Sequence, residues 1–186
     1  MRLSNSAKHF LAAAALVAAA LAARPAAAQS WLGSPWLGSP GEPPRLELGG
    51  GAFDVTPNSG HPDSKTTGLF RGEYHFGDLL WIISPMAGVE VSTRGSTYVY
   101  GGFGFDINFA PNWVLTPNGA IGWYQRGGGT NLGSTTEFRT GAELDYKFPD
   151  QSRLGLTVHH ISNAGIGKYN PGEQEVMLVY QIPLHW

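Results

Sequence analysis

No cysteine occurs in the 186 residues, which excludes a disulfide framework and any thiolate metal site. Charge is scarce as well. Asp, Glu, Lys and Arg make up 14% of the chain, against about 25% in ordinary soluble domains. With a formal net charge of −2 there is no basic excess of the kind that draws a protein to nucleic acid. Long apolar runs are missing apart from Phe10 to Ala23, and that run falls short of the ~20 residues a spanning helix needs. No helical periodicity of useful length follows it. The chain therefore has no helices with which to cover a core or to cross a bilayer.

What is present is unevenly distributed. A basic start, Met1 to Lys8, leads into the Ala/Leu/Val run, and Ala26-Ala27-Ala28 supplies an A-x-A cleavage pattern. Residues 1–28 are thus expected to be a secretory signal peptide. Residues 29–44 contain a tandem, Trp31-Leu32-Gly33-Ser34-Pro35 and Trp36-Leu37-Gly38-Ser39-Pro40. Pro and Gly at that density predict an irregular linker or tail. The remainder, 45–186, holds most of the 26 glycines and the aromatic residues, which are 12% of the whole.

From Arg45 onward apolar residues recur with period two, interrupted at even intervals by Gly, Pro, Asn and Asp. Eight strands are predicted, at about 45–55, 66–77, 80–93, 96–109, 112–125, 134–148, 152–163 and 173–184. In the fourth, Val99, Phe103, Phe105, Ile107 and Phe109 share a face opposite Tyr100, Asp106 and Asn108. In the fifth, Trp113, Leu115, Ile121 and Trp123 oppose Asn112, Thr116 and Asn118. In the sixth, Phe138, Ala142, Leu144 and Tyr146 oppose Glu137, Arg139, Glu143 and Asp145. Such alternation means one wet face and one apolar face.

Either a soluble barrel with an apolar interior or a membrane barrel with an apolar exterior would use this pattern. The polar faces carry Arg71, Glu73, Glu90, Asp106, Arg139, Glu143 and Asp145, suited to a lumen in which opposite signs pair. Aromatics near strand ends (Trp81, Tyr98, Trp113, Trp123, Tyr124) suit interfacial girdles, and the chain ends on an aromatic, Trp186. The expected fold is all-β, an eight-stranded antiparallel transmembrane barrel of the outer-membrane type. An even strand count after a signal peptide puts both termini in the periplasm. The seventh strand then ends near the outer leaflet.

That strand reads Leu154, Leu156, Val158, His160 and Ser162 along one face. Polar side chains are costly on a wall facing lipid, and this pair has a use. A serine hydroxyl becomes a nucleophile when an imidazole takes its proton, and ester hydrolysis then needs donors for the oxyanion. Asn163, and backbone N–H groups at Ala164 and Gly165, are candidates. The alternative is that the pair lies above the bilayer, in water.

The run from His160-Ile161-Ser162-Asn163-Ala164-Gly165 through Asn170-Pro171-Gly172-Glu173-Gln174-Glu175 to Tyr180-Gln181-Ile182-Pro183 resembles the PagL-type lipid A 3-O-deacylases. The resemblance implies an eight-stranded outer-membrane barrel whose His-Ser-Glu triad faces lipid. It implies removal of the ester-linked 3-hydroxyacyl chain at the 3 position of lipid A, without a metal or cofactor. His160 is then the base, Ser162 the nucleophile, and Asn163 with Gly165 the oxyanion candidates. The partner is lipopolysaccharide in the outer leaflet, and a homodimer that gates lateral access stays open.

The third triad member departs from the pattern. Where the family has its orienting Glu, this chain has Gln174, flanked by Glu173 and Glu175. Gln174 shares the apolar face of Val176, Leu178, Tyr180 and Ile182, so a regular strand turns both Glu residues inward. Three readings follow: the Gln174 amide orients His160, a bulge turns Glu173 or Glu175 outward, or the site is impaired. His159 is expected in the lumen, and His61, His75 and His185 show no metal-ligand spacing. Lys168 and Arg126 are candidate contacts for lipid A phosphates. Two other functions compete: a structural or adhesive outer-membrane barrel without catalysis, and a soluble barrel that binds an apolar ligand.

Overall fold

The computed structural model describes residues 36–185 except 40, 58–59, 61 and 78–81. The signal peptide expected over 1–28, the first pentapeptide of the tandem, His61, Trp81 and Trp186 lie outside the described residues.

Nine strand segments follow one another: β1 (Arg45–Phe53), β2 (Thr67–His75), β3 (Ser84–Ser92), β4 (Thr97–Gly104), β5 (Ile107–Ala110), β6 (Trp113–Gln125), β7 (Thr136–Lys147), β8 (Arg153–Ser162) and β9 (Glu173–Pro183). Every pairing is antiparallel, β1 joins β9, and both β4 and β5 pair with β6. The sheet is therefore closed. β4 and β5 are two halves of one wall strand, so the barrel has eight walls and no open edge along most of its height.

The predicted fourth strand thus differs from the observed one. It breaks at Phe105–Asp106, and the register shifts again between Asn108 and Ala110. The cause is Asp106, which accepts from Thr116 at 2.8 Å, from Ser39 at 2.6 Å and from Arg153 at 2.6 Å. Ile107, expected to be exposed with Phe103 and Phe109, is instead buried beside Leu37, which bridges to it.

The described residues between 36 and 44 lie outside the strands and are firmly seated. Gly38 N–H donates to Asp106 O, Asn108 N–H donates to Trp36 O, and Glu42 pairs with Arg45, Lys147 and Arg153. This segment covers the strand edge beside β5 at the end of the barrel that holds β1's start and β9's finish. That end is called proximal below, and the opposite end distal.

The barrel is inside-out relative to a soluble protein. Phe70, Val99, Phe103, Ile121, Trp123, Leu156, Val158 and Leu178 are exposed, while Arg71, Glu73, Glu90, Arg139, Glu143 and Asp145 are buried in the lumen. An eight-stranded barrel has an interior just wide enough for side chains to fill. Here they are ion pairs: Arg71 to Glu90 at 2.7 Å, and Arg139 to Glu73 and Glu90 at 2.7 Å each. An exposed apolar band around a charged core suits lipid as the outer solvent and excludes a soluble barrel with an apolar ligand cavity.

Candidate active site

β8 lies between β7 and β9 in a regular register, with Thr140 opposite His160, His160 opposite Gln174, and Phe138 opposite Ser162. Side chains two apart on a strand share a face, about 6.8 Å apart along the chain. His160 and Ser162 therefore stand on the outer wall, in line with the exposed Leu154, Leu156 and Val158. Both are half-buried at the distal end of β8.

Gln174 reaches His160 across the strand pair. Its amide nitrogen lies 3.2 Å from His160 Nδ1. The amide has a donor end and an acceptor end, exchanged by a half-turn about its last torsion. With the oxygen facing the ring it accepts from Nδ1–H and leaves Nε2 free to take a proton. That is the tautomer a general base needs.

Glu173 and Glu175 do not reach the outer wall. The β8–β9 register runs without a bulge through Ile161–Glu173, His160–Gln174 and His159–Glu175, so the bulged alternative does not occur. Both carboxylates are wholly buried in the lumen. Glu173 accepts from the backbone N–H of Asp54 at 3.0 Å, and Glu175 faces Arg71 at 3.6 Å. His159 is in the lumen as expected, with Arg71 donating to its Nδ1 at 2.9 Å.

Asn163 has a different position from that expected of a free oxyanion donor. Its side chain is completely buried, and its amide hydrogens go to the carbonyls of Leu132 and Tyr169, each at 2.8 Å. Its Oδ1 accepts from Gly165 N–H at 2.9 Å, and its own N–H goes to Asn170 Oδ1 at 3.0 Å. Asn163 is therefore the hub that builds the β8–β9 loop and ties it to the β6–β7 loop. For Asn163 or Gly165 to serve an oxyanion, these bonds must be given up.

Gly172 was not singled out from sequence, and it shapes the site. Its φ is +66°, and a Cβ placed there would lie 2.7 Å from His160 Cε1 and 3.2 Å from Nε2. Glycine lets the backbone run against the imidazole edge. A Pro-Gly pair immediately before a strand was the available signal. Of the two cations expected from sequence to meet phosphate, Arg126 pairs with Asp63 at 3.0 Å, while Lys168 stands exposed on the β8–β9 loop.

The family described as lipid A 3-O-deacylase (PagL) matches residues 84–183, a span that includes β3 to β9. No curated relative matches the chain in sequence. A crystal structure of the outer membrane enzyme PagL superposes with a TM-score of 0.55 at 21% identity, covering 75% of this chain and 99% of that one. A de novo designed transmembrane β-barrel superposes with a TM-score of 0.50 at 12% identity, covering 76% of this chain and 96% of that one.

Proposed function

The chain belongs to the lipid A 3-O-deacylase family of outer-membrane barrels, and from that premise we propose that Ser162 is its nucleophile, His160 its general base and Gln174 the group that orients the base. The observation that carries the proposal is the Gln174–His160 contact on the outer wall, on the face that His160 shares with Ser162.

Ser162 Oγ attacks the carbonyl carbon of the 3-O-acyl ester while His160 Nε2 takes its proton. The tetrahedral intermediate collapses with loss of the sugar alkoxide, which receives that proton from His160. Water then attacks the acyl-Ser162 ester with His160 again as base, releasing the 3-hydroxy fatty acid and restoring the hydroxyl. Gln174 holds the imidazole in place as a Glu would, but brings no negative charge to stabilise the imidazolium. No metal or cofactor enters any step. The oxyanion is served by N–H groups of the loop that Asn163 organises, with Asn163 and Gly165 as donors if their present bonds are given up.

The distal end sits at the outer leaflet, and both termini are periplasmic, because an exported chain with eight walls begins and ends on the same side. Lipid A reaches the site sideways through the bilayer, and Lys168 is placed on the rim to meet its phosphates. The three proposed catalytic side chains stand on the neighbouring strands β8 and β9.

Mass spectrometry of lipid A from a Gram-negative host that expresses the chain tests this reading. Wild type is expected to remove one 3-hydroxyacyl chain, and Ser162→Ala to leave lipid A intact. Intact lipid A beside a folded, membrane-inserted wild type would overturn it.

A further inference from the structure

The lumen has more negative groups than its cations can balance. Among the described residues, ten carboxylates are buried (Glu47, Asp54, Glu73, Glu90, Asp106, Glu137, Glu143, Asp145, Glu173 and Glu175). They face the four buried guanidinium groups of Arg45, Arg71, Arg139 and Arg153. Glu175 meets Arg71 only at 3.6 Å, and Arg71 is shared with Glu90 and Glu47. Buried anions in excess require either protons or another cation.

One place in this lumen has the form of a cation site. Glu47 on β1 and Glu73 on β2 are directly opposite each other in the ladder, a pairing of like charges that destabilises a sheet unless something bridges it. His75, two residues beyond Glu73 on the same face, supplies the bridge. Its Nε2 lies 3.2 Å from Glu47 Oε2 and 3.1 Å from Glu73 Oε1. The three ligand atoms all lie within 4.8 Å of one another.

We propose that Glu47, Glu73 and His75 bind a divalent transition-metal ion of the zinc class, which links β1 to β2 inside the proximal half of the barrel. Three features of the site support this. First, four-coordinate zinc with bonds of about 2.0 Å holds its ligands about 3.3 Å apart, close to the separations His75 Nε2 already has. Second, each carboxylate is oriented through its other oxygen. Arg71 holds Glu47 Oε1 at 3.3 Å, while Arg139 at 2.7 Å and the Tyr100 hydroxyl hold Glu73 Oε2. Outer partners of this kind aim metal-binding carboxylates. Third, a proton on Nε2 has to be shared between two anionic oxygens, whereas an ion bonds to all three ligand atoms at once.

Water completes the coordination, entering from the proximal end, where His75 closes β2 with its side chain 7% exposed. The site lies in the lumen, while Ser162 and His160 stand on the outer wall. The ion is structural, and its binding is independent of the esterase reading.

The test uses the folded barrel extracted in detergent, stripped with EDTA and titrated with zinc chloride by calorimetry. His75→Ala and Glu47→Gln are measured alongside, with folding checked by the mobility shift of unheated samples in gels. Wild type is expected to take one ion per barrel, and each variant to bind at least tenfold more weakly. Cobalt in place of zinc should give the intense visible absorption of a four-coordinate site, absent in both variants. If His75→Ala does not fold, His75→Gln, which keeps a hydrogen-bonding side chain but lacks the ring nitrogen, replaces it. Absence of stoichiometric uptake by folded wild type overturns the proposal, and so does uptake undiminished in the variants.

Discussion

β8 and β9 place nearly the same residue types on two opposite walls. Outward stand His160, Ser162 and Gln174; inward stand His159, Glu173 and Glu175. Inside, His159 and Glu175 sit at Arg71, which also pairs with Glu90 and Glu47. That network has many members and little freedom. Outside, His160 meets the Gln174 amide at 3.2 Å and the Glu173 backbone, with Thr140 opposite it on β7 and an apolar row, Leu154, Leu156 and Val158, leading up to it. A buried network of charges is suited to fixing the shape of the barrel. An imidazole held by neutral groups, with a hydroxyl two residues away on the same face, remains able to exchange a proton. Adjacent residues, His159 and His160, therefore have different expected roles because the pleat separates them by a wall.

The strongest way to break that contrast is to truncate the two histidines separately. His160→Ala should lower deacylation by about a thousandfold or more and leave the folded fraction unchanged. His159→Ala should retain turnover per folded molecule. Lipid A mass spectrometry and gel mobility read both, and equal loss of activity in the two variants would end the distinction.

Next in size is a change confined to the inner wall. Arg139 is wholly buried, donates to Glu73 and Glu90, and lies 4.0 Å over the Tyr100 ring. Arg139→Ala leaves two buried carboxylates short of a partner, and breaking such a pair costs about 3–5 kcal/mol. Urea unfolding in lipid vesicles should show the loss, with activity per folded barrel retained.

Smaller effects test the outer wall more finely. Gln174→Glu restores a carboxylate beside Nδ1 and should raise turnover roughly tenfold, because it then stabilises the imidazolium as well as orienting it. Gln174→Ala should lower it. Gly172→Ala presses a methyl group against the His160 ring at a position with φ of +66°. It should reduce kcat several-fold, by displacement of the base, with little change in KM.

The smallest expected effect is at the proximal end. Burial pushes the Glu42 carboxyl up, but Arg153, Arg45 and Lys147 together hold it below its ordinary value. A group depressed on folding contributes stability above its unfolded pKa and loses it as pH falls through the lower folded value. Acidification below about pH 4.5 should therefore loosen the seat of residues 36–44. Glu42→Gln should flatten that pH response, as followed by Trp36 fluorescence. An identical acid transition in the variant would remove Glu42 from the account.

Much of this architecture was legible in the chain. Period-two alternation in Trp113 to Gln125 and Thr136 to Lys147 identified wall strands and their two faces, because lipid and lumen select opposite side chains at alternate positions. The outward parity of His160, Ser162 and Gln174 came from the same rule. The break at Asp106 was not legible. It depends on Arg153 and Ser39, which lie 47 and 67 residues away. The role of Asn163 was hidden for a similar reason: its partners include Leu132, 31 residues earlier, and a motif does not show which loop folds over it.

The Glu47–Glu73–His75 cluster shows the same division. Glu73 and His75 lie two apart on β2, but Glu47 joins them only across the ladder, so the chain showed no ligand spacing for all three. By itself the sequence determined the all-β fold with eight walls, the hydrophobic exterior and the face of the polar residues in the regular strands, because a strand's side chains alternate whatever its neighbours are. It left Glu173 and Glu175 open and misplaced Ile107 beside the break at Asp106. Only the tertiary structure decided the register between strands. Register sets which charge meets which across the lumen and which side chain stands beside His160, and those contacts exist only once the barrel has closed.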